Sequence, residues 1–126
     1  MVKDIQLIKN LDRSMKFKDD EFTYICLLSE LKENIGRKFI VDEIEVAVFK
    51  INDEVFALSN ICPHQQTHLI YDGFIEEEFV VCPAHGWKFN LRTGKKDSGS
   101  NGLQVYPVEI VDDKIFVKVT PKELKW

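Results

Sequence analysis

Cys62-Pro63-His64 and Cys82-Pro83-Ala84-His85 decide the reading of this chain. Each short loop offers one thiolate and one imidazole, and seventeen residues lie between His64 and Cys82. Together they make four metal ligands in mixed pairs, spaced C-x-H and then C-x-x-H. Pro63 and Pro83 each fix a φ angle directly after a Cys, which stiffens a loop that has to grip something. Gly86, after His85, is expected to let the backbone come close to whatever is bound, where a side chain would collide.

Two chemistries use such a donor set. A tetrahedral Zn²⁺ takes two Cys and two His, and would make the chain a zinc-stabilised binding module. Zinc sites, however, usually pair Cys with Cys in one knuckle and His with His in the other, whereas each loop here mixes the types. A [2Fe–2S] centre with two Cys on one iron and two His on the other fits the mixed loops directly. Two ferric ions, two sulfides and two thiolates sum to zero charge beside neutral imidazoles, so this cluster is easier to reduce than an all-Cys one. The chemistry implied is one-electron transfer.

The surrounding residues extend the match. Ala57-Leu58-Ser59-Asn60-Ile61-Cys62-Pro63-His64 and Cys82-Pro83-Ala84-His85-Gly86-Trp87-Lys88-Phe89-Asn90-Leu91-Arg92-Thr93-Gly94 resemble the cluster-binding segments of soluble Rieske ferredoxins, and the likeness runs from about residue 21 to residue 119. The resemblance implies one [2Fe–2S] cluster held by Cys62, His64, Cys82 and His85, in a small subdomain over about 60–101 inserted into a larger β base, with the His ligands near its exposed tip. It further implies a carrier between a reductase and a terminal oxygenase, or the small Rieske subunit of an assimilatory NAD(P)H nitrite reductase working with its large subunit. The chain departs from many members at Gln65-Gln66, where they carry Gly after the first loop, so a slightly different turn is expected. Rieske proteins of cytochrome bc complexes carry an extra Cys in each loop and a Ser that donates to a sulfur. The corresponding positions are approximately Gln66, then Ala84 and Trp87, which points to the low-potential subclass.

Length and composition agree with this assignment. A chain of 126 residues suffices for one domain with a real core. A formal net charge of −4 gives no basic field for nucleic acid. Cys26 is the third of three Cys and lies in the apolar run Tyr24-Ile25-Cys26-Leu27-Leu28, where a small buried hydrophobe is expected rather than half of a disulfide. That usage implies a reducing compartment, and the N-terminus has no uninterrupted apolar segment for export or anchoring, so a cytoplasmic protein without membrane contact is expected. No Gly-rich phosphate loop and no 2-His-1-carboxylate set is present, so the chain is not expected to be catalytic alone.

Ile5, Ile8, Leu11 and Met15 recur at helical spacing in an N-terminal extension over 1–20, which reads as a short helix or as a loosely attached segment. From Phe22 the texture becomes short β runs. Phe22 to Leu28 reads as a strand, and Ser29 to Gly36 as one helical turn with a Ser cap and a Gly stop. Ile44, Val46 and Val48 alternate before Asn52-Asp53 and Val55 to Leu58, a hairpin. Gln104 to Val111 and Ile115 to Val119, joined by Asp112-Asp113-Lys114, make a second hairpin, with a tail over 120–126. This pattern predicts an all-β fold with an antiparallel sandwich or barrel base. His68 is read as a hydrogen-bonding or solvated residue, not a ligand, and Glu76-Glu77-Glu78 as a solvated hairpin tip. Trp87 and Phe89 are read as packing that braces the second loop.

Overall fold

A computed structural model describes residues 22–63, 66–84, 86–96 and 102–119. The N-terminal extension over 1–20 and the tail over 120–126 lie outside the described residues, as do His64 and His85. The described residues form ten strands in three antiparallel sheets. Strands β1 (Phe22–Leu27), β9 (Val108–Val111) and β10 (Lys114–Lys118) make one sheet, in the order β1-β10-β9. Strands β2 (Arg37–Val41), β3 (Ile44–Ile51), β4 (Glu54–Ser59) and β8 (Val105–Tyr106) make the second, in chain order. The third contains β5 (Phe74–Glu76), β6 (Phe79–Val81) and β7 (Lys88–Asn90), also in chain order.

Three two-residue turns organise the hairpins. Asp42-Glu43, Asn52-Asp53 and Asp112-Asp113 all have positive φ at both positions, 52° and 66°, 48° and 68°, and 52° and 69°. That geometry suits the right-handed twist of the strands it joins, and Asn and Asp tolerate the left-handed region better than most residues. The first of these turns adds β2, a strand absent from the sequence reading because Arg37-Lys38 opens it with two charges. The third places Lys114 inside β10 and leaves Val119 beyond its end, one residue earlier than expected.

The run Gln104 to Val111 is not one strand. It breaks at Pro107, with β8 pairing β4 and β9 pairing β10, so the chain crosses between two sheets at the residue that lacks a backbone donor. The helical turn also differs from expectation. A 3-10 turn covers Leu28–Glu30, and its first backbone donor, Leu27 N–H, goes to the Glu30 carboxylate at 3.1 Å. Ser29 lies inside this turn rather than capping it. Gly36 lies well beyond the turn, and its constraint is space, because a Cβ there would stand 2.4 Å from the Tyr71 carbonyl and 2.5 Å from the Phe49 ring.

The middle sheet is buried on both faces. Val46, Val48, Ala57 and Tyr106 face Cys26, Ile115 and Val117, so the first two sheets close as a sandwich. Ala47, Phe49 and Leu58, on the opposite face, pack with Ile70, Val80, Phe89, Leu91 and Leu103 and with both Cys62 and Cys82. Alternation in β3 therefore separates two cores rather than core from solvent. Among the described residues no helix is long and apolar enough to cross a membrane.

Cys26 is 3% exposed and faces Ile115 beyond a bulge in β1 between Tyr24 and Cys26. Burial pushes its thiol up to about 12; the Glu30 charge adds to the rise and Arg37 opposes it. A raised folded value means that native stability is intact below the unfolded thiol value and is lost as pH rises above it, when only the unfolded chain ionises. Iodoacetamide at pH 8 is therefore expected to leave Cys26 unmodified in the folded protein and to alkylate it in denaturant, read by peptide mass spectrometry. Rapid labelling of the native chain would contradict its burial.

Candidate metal centre

The first loop leaves β4 at Ser59 and returns at a 3-10 turn over Ile70–Asp72. Its anchor is Asn60, which is 0% exposed. The Asn60 amide nitrogen donates to Glu45 Oε1 at 3.0 Å and to the His68 carbonyl at 3.2 Å, and its oxygen accepts from Tyr71 N–H at 2.7 Å. The backbone repeats the connection, with Asn60 N–H donating to the Glu45 carbonyl at 3.1 Å and Ile70 N–H to the Asn60 carbonyl at 3.4 Å. One buried side chain thus ties β3, the far end of the loop and the following turn together. Removing it would take a partner from part-buried groups on Glu45, His68 and Tyr71, at about 1–3 kcal/mol for each one that water does not then reach.

Glu45 continues the network to His68, whose Nδ1 lies 3.0 Å from Glu45 Oε2. The Asn60 hydrogen bond and then the His68 hydrogen bond hold the Glu45 carboxyl below its ordinary range; partial burial opposes them, and the charges of His68 and Lys38 add. A lowered folded value gives stability that is present above the unfolded carboxyl value and fades as pH falls through the folded one. The His68 side chain remains 53% exposed, so hydrogen bonding and solvation both describe it, as the sequence implied.

Within the loop, Cys62 N–H donates to the Thr67 carbonyl at 2.8 Å, closing a tight turn. Gln66 takes φ 54°, so a residue with a side chain occupies the left-handed region where glycine would be unstrained. Gln66 thus holds a left-handed turn at a cost of about 1–2 kcal/mol. Gln65 lies outside the described residues.

The second loop joins β6 to β7 and is closed in the same manner. Cys82 N–H donates to the Trp87 carbonyl at 2.8 Å and Gly86 N–H to the Cys82 carbonyl at 2.9 Å. Gly86 has φ 77° and no described atom within 4 Å of where a Cβ would stand. That left-handed backbone is one glycine adopts without strain. Phe89 is fully buried behind the loop, and Trp87 packs beside it at 6.3 Å between ring centroids, with Lys96 Nζ 3.8 Å from the Trp87 ring centroid. Packing accounts for both aromatics. After β7, Asn90 Oδ1 accepts from Arg92 N–H at 2.8 Å and Thr93 N–H at 3.0 Å. Gly94 completes the turn with φ 77°, where a Cβ would stand 2.1 Å from the Leu103 carbonyl. The Arg92 fork, bonded to Glu54 at 2.7 and 3.1 Å, ties this turn to β4.

Cys62 and Cys82 come together in one buried cluster, 2% and 1% exposed, and neither is in a disulfide. Two buried, unbridged thiols on two closed loops fit the sulfur half of a cluster with two Cys ligands. The Thr67 hydroxyl is also buried there without a hydrogen-bond partner, a polar donor left over in the loop. The residues present therefore fit a sulfide-bearing group. Glu76-Glu77-Glu78 lies away from this cluster at the exposed β5–β6 turn, where Glu76 pairs with Lys88 at 3.0 Å. Sequence reasoning missed Asn60 and Glu45; an amide two residues before the first Cys, at the end of an apolar strand, was the available signal.

Residues 21–118 match the Rieske-like [2Fe–2S] domain family. The ferredoxin subunit of anthranilate 1,2-dioxygenase from Burkholderia cepacia is 32% identical over 94 residues, spanning 73% of this chain and 86% of that protein. The solved structure of the ferredoxin of carbazole 1,9a-dioxygenase from Nocardioides aromaticivorans IC177 is similar with a TM-score of 0.73 and 28% identity, over 79% of this chain and 98% of that one. A nitrite reductase small subunit from Mycobacterium tuberculosis shares the fold, with a TM-score of 0.74 at 23% identity over 79% of this chain and 95% of that one. The matched domain carries both closed loops and both buried Cys, and the match sets aside the zinc module: the chain belongs to the Rieske-like [2Fe–2S] domain family, and that membership implies one [2Fe–2S] cluster.

Proposed function

We propose that this chain is a one-electron carrier whose cluster is held by Cys62 and Cys82 on one iron and by His64 and His85 on the other, and that it passes electrons from a reductase to a terminal oxygenase. The observation that carries the ligand assignment is the burial of Cys62 and Cys82 in one core on two loops closed by backbone hydrogen bonds. When bound, the cluster supplies reversible one-electron chemistry. Cys62 and Cys82 ligate as thiolates, so loading releases their protons. Phe89, Ile70 and Leu58 keep water from the thiolate side, which favours a cluster of low net charge. The hydrogen bonds of Asn60 and the packing of Trp87 and Phe89 hold the loops in place while charge changes, which limits rearrangement during transfer.

The oxygenase acceptor is favoured because relatives above 30% identity are ferredoxin subunits of dioxygenases. A nitrite reductase large subunit is the alternative acceptor, and copurification separates the two. Residues of about 60–101 serve as the cluster-binding subdomain within a Rieske domain spanning 21–119; the separate β5–β7 sheet supports that division. Three Cys without a disulfide support a reducing, cytoplasmic setting.

Purified protein is expected to be coloured and to hold about two irons and two acid-labile sulfides per chain. Cys62→Ser and Cys82→Ser should each abolish both. Normal cluster content in either variant, or one zinc in place of iron, would overturn the assignment. Voltammetry at neutral pH should give a potential near the negative end of the Rieske range, about −150 mV. It should be nearly flat around neutrality and decline at alkaline pH by about 59 mV per unit for each proton released with the electron count of one, as the imidazole N–H groups of His64 and His85 ionise. A potential above about +100 mV, or one independent of pH throughout, would contradict the ligand set or its access to water.

A further inference from the structure

Thr67 closes the first loop opposite Cys62. The two residues form an isolated antiparallel bridge, in which Cys62 N–H donates to the Thr67 carbonyl at 2.8 Å. Residues directly opposed across an antiparallel pair project their side chains to one side, with Cβ atoms about 4.5–5.5 Å apart. The Thr67 hydroxyl therefore shares a face with the Cys62 sulfur.

That hydroxyl is buried and has no hydrogen-bond partner, and it is the one such side-chain atom among the described residues. Folded proteins pair nearly all their buried polar groups, because an unpaired one forfeits its hydration and gains nothing. A threonine hydroxyl rotates freely about its C–O bond and can donate one hydrogen bond to any acceptor on its side. Asn60, two residues before Cys62, is fully buried and satisfies both amide hydrogens and its oxygen within the protein. Thr67 is thus an exception in a loop that otherwise places its polar atoms with care, and the face it shares is the sulfur face.

We propose that Thr67 Oγ1–H donates to the sulfur side of the bound cluster, either the Cys62 thiolate or the sulfide next to it, and so favours the reduced state. This rests on Cys62 being a ligand. Reduction adds one negative charge to the acceptor, and a hydrogen bond to a more negative acceptor is stronger, so the donor stabilises the reduced form more than the oxidised one. The hydroxyl stays bonded to Thr67 throughout, and no proton is transferred. Thr67 is a positioning and tuning residue, supplying a donor from the first loop where Ala84 and Trp87 supply no hydroxyl from the second.

Thr67→Val removes the hydroxyl and keeps the branched shape, whereas Thr67→Ser keeps the hydroxyl. Iron and sulfide content, the potential, and the denaturant stability of the cluster-free protein are to be measured for wild type and both variants. The Val variant is expected to keep its cluster and to lower the potential by about 59 mV, a tenfold change in the one-electron equilibrium, while the Ser variant stays close to wild type. In cluster-free protein the Val variant should be at least as stable as wild type, since it loses an unpaired buried group. An unchanged potential in the Val variant, or a Ser variant shifted as far as Val, overturns the proposal. If the Val variant loses iron, Thr67→Ala is measured in its place under the same criteria. Wild-type protein that holds no iron and sulfide would instead overturn the ligand assignment, and the Thr67 role with it.

Discussion

A single buried amide holds the two halves of this molecule in register. Asn60 stands at the point where β4 leaves the shared sheet and the first loop begins, and its three side-chain hydrogen bonds reach β3, the end of that loop and the turn beyond it. Each such bond contributes about 0.5–1.5 kcal/mol, more where the partner is the Glu45 carboxylate. Their larger consequence is geometric. Cys62 follows Asn60 by two residues, so the position of its sulfur is inherited from the sheet rather than from a loose loop.

The shared sheet makes that inheritance possible. Its Val46 and Val48 face belongs to the base, and its Ala47 and Phe49 face belongs to the core that contains both cysteines. Small Ala47 beside large Phe49 leaves room for the loops to settle against a rigid wall. The second loop gains the same support by another route, through Phe89 packed behind it and the Arg92 fork on Glu54. The exposed ion pair contributes little energy by itself, and its function is to fix where the turn meets β4.

The ligand loops and the all-β class were legible because their signals are local: Cys and His at fixed spacing, Pro after each Cys, and Asn-Asp or Asp-Asp between β-branched runs. What the sequence hid depends on contacts distant in the chain. Strand β2 is the exception, a local hairpin partner of β3 whose Phe39-Ile40-Val41 run is masked by the charges of Arg37-Lys38 before it. The division at Pro107 sends one apolar run into two sheets, which periodicity alone cannot signal. The φ of 77° at Gly86 adds a backbone requirement that the sequence alone does not show. Asn60 and Glu45 are fifteen residues apart, and nothing local marks them as partners. Thr67 is informative only once its hydroxyl is seen to be buried and unpaired.

The central claim is that two imidazoles and two thiolates share the cluster. Pulsed EPR of chemically reduced protein grown with ¹⁵N-histidine tests it most directly, because only coordinated nitrogen couples strongly to the unpaired electron. The chain has three His, so His68→Gln is the necessary companion. Two strongly coupled nitrogens in wild type, unchanged in His68→Gln, are the expected result and assign them to His64 and His85. No strongly coupled nitrogen, or the loss of one with His68, would contradict the account.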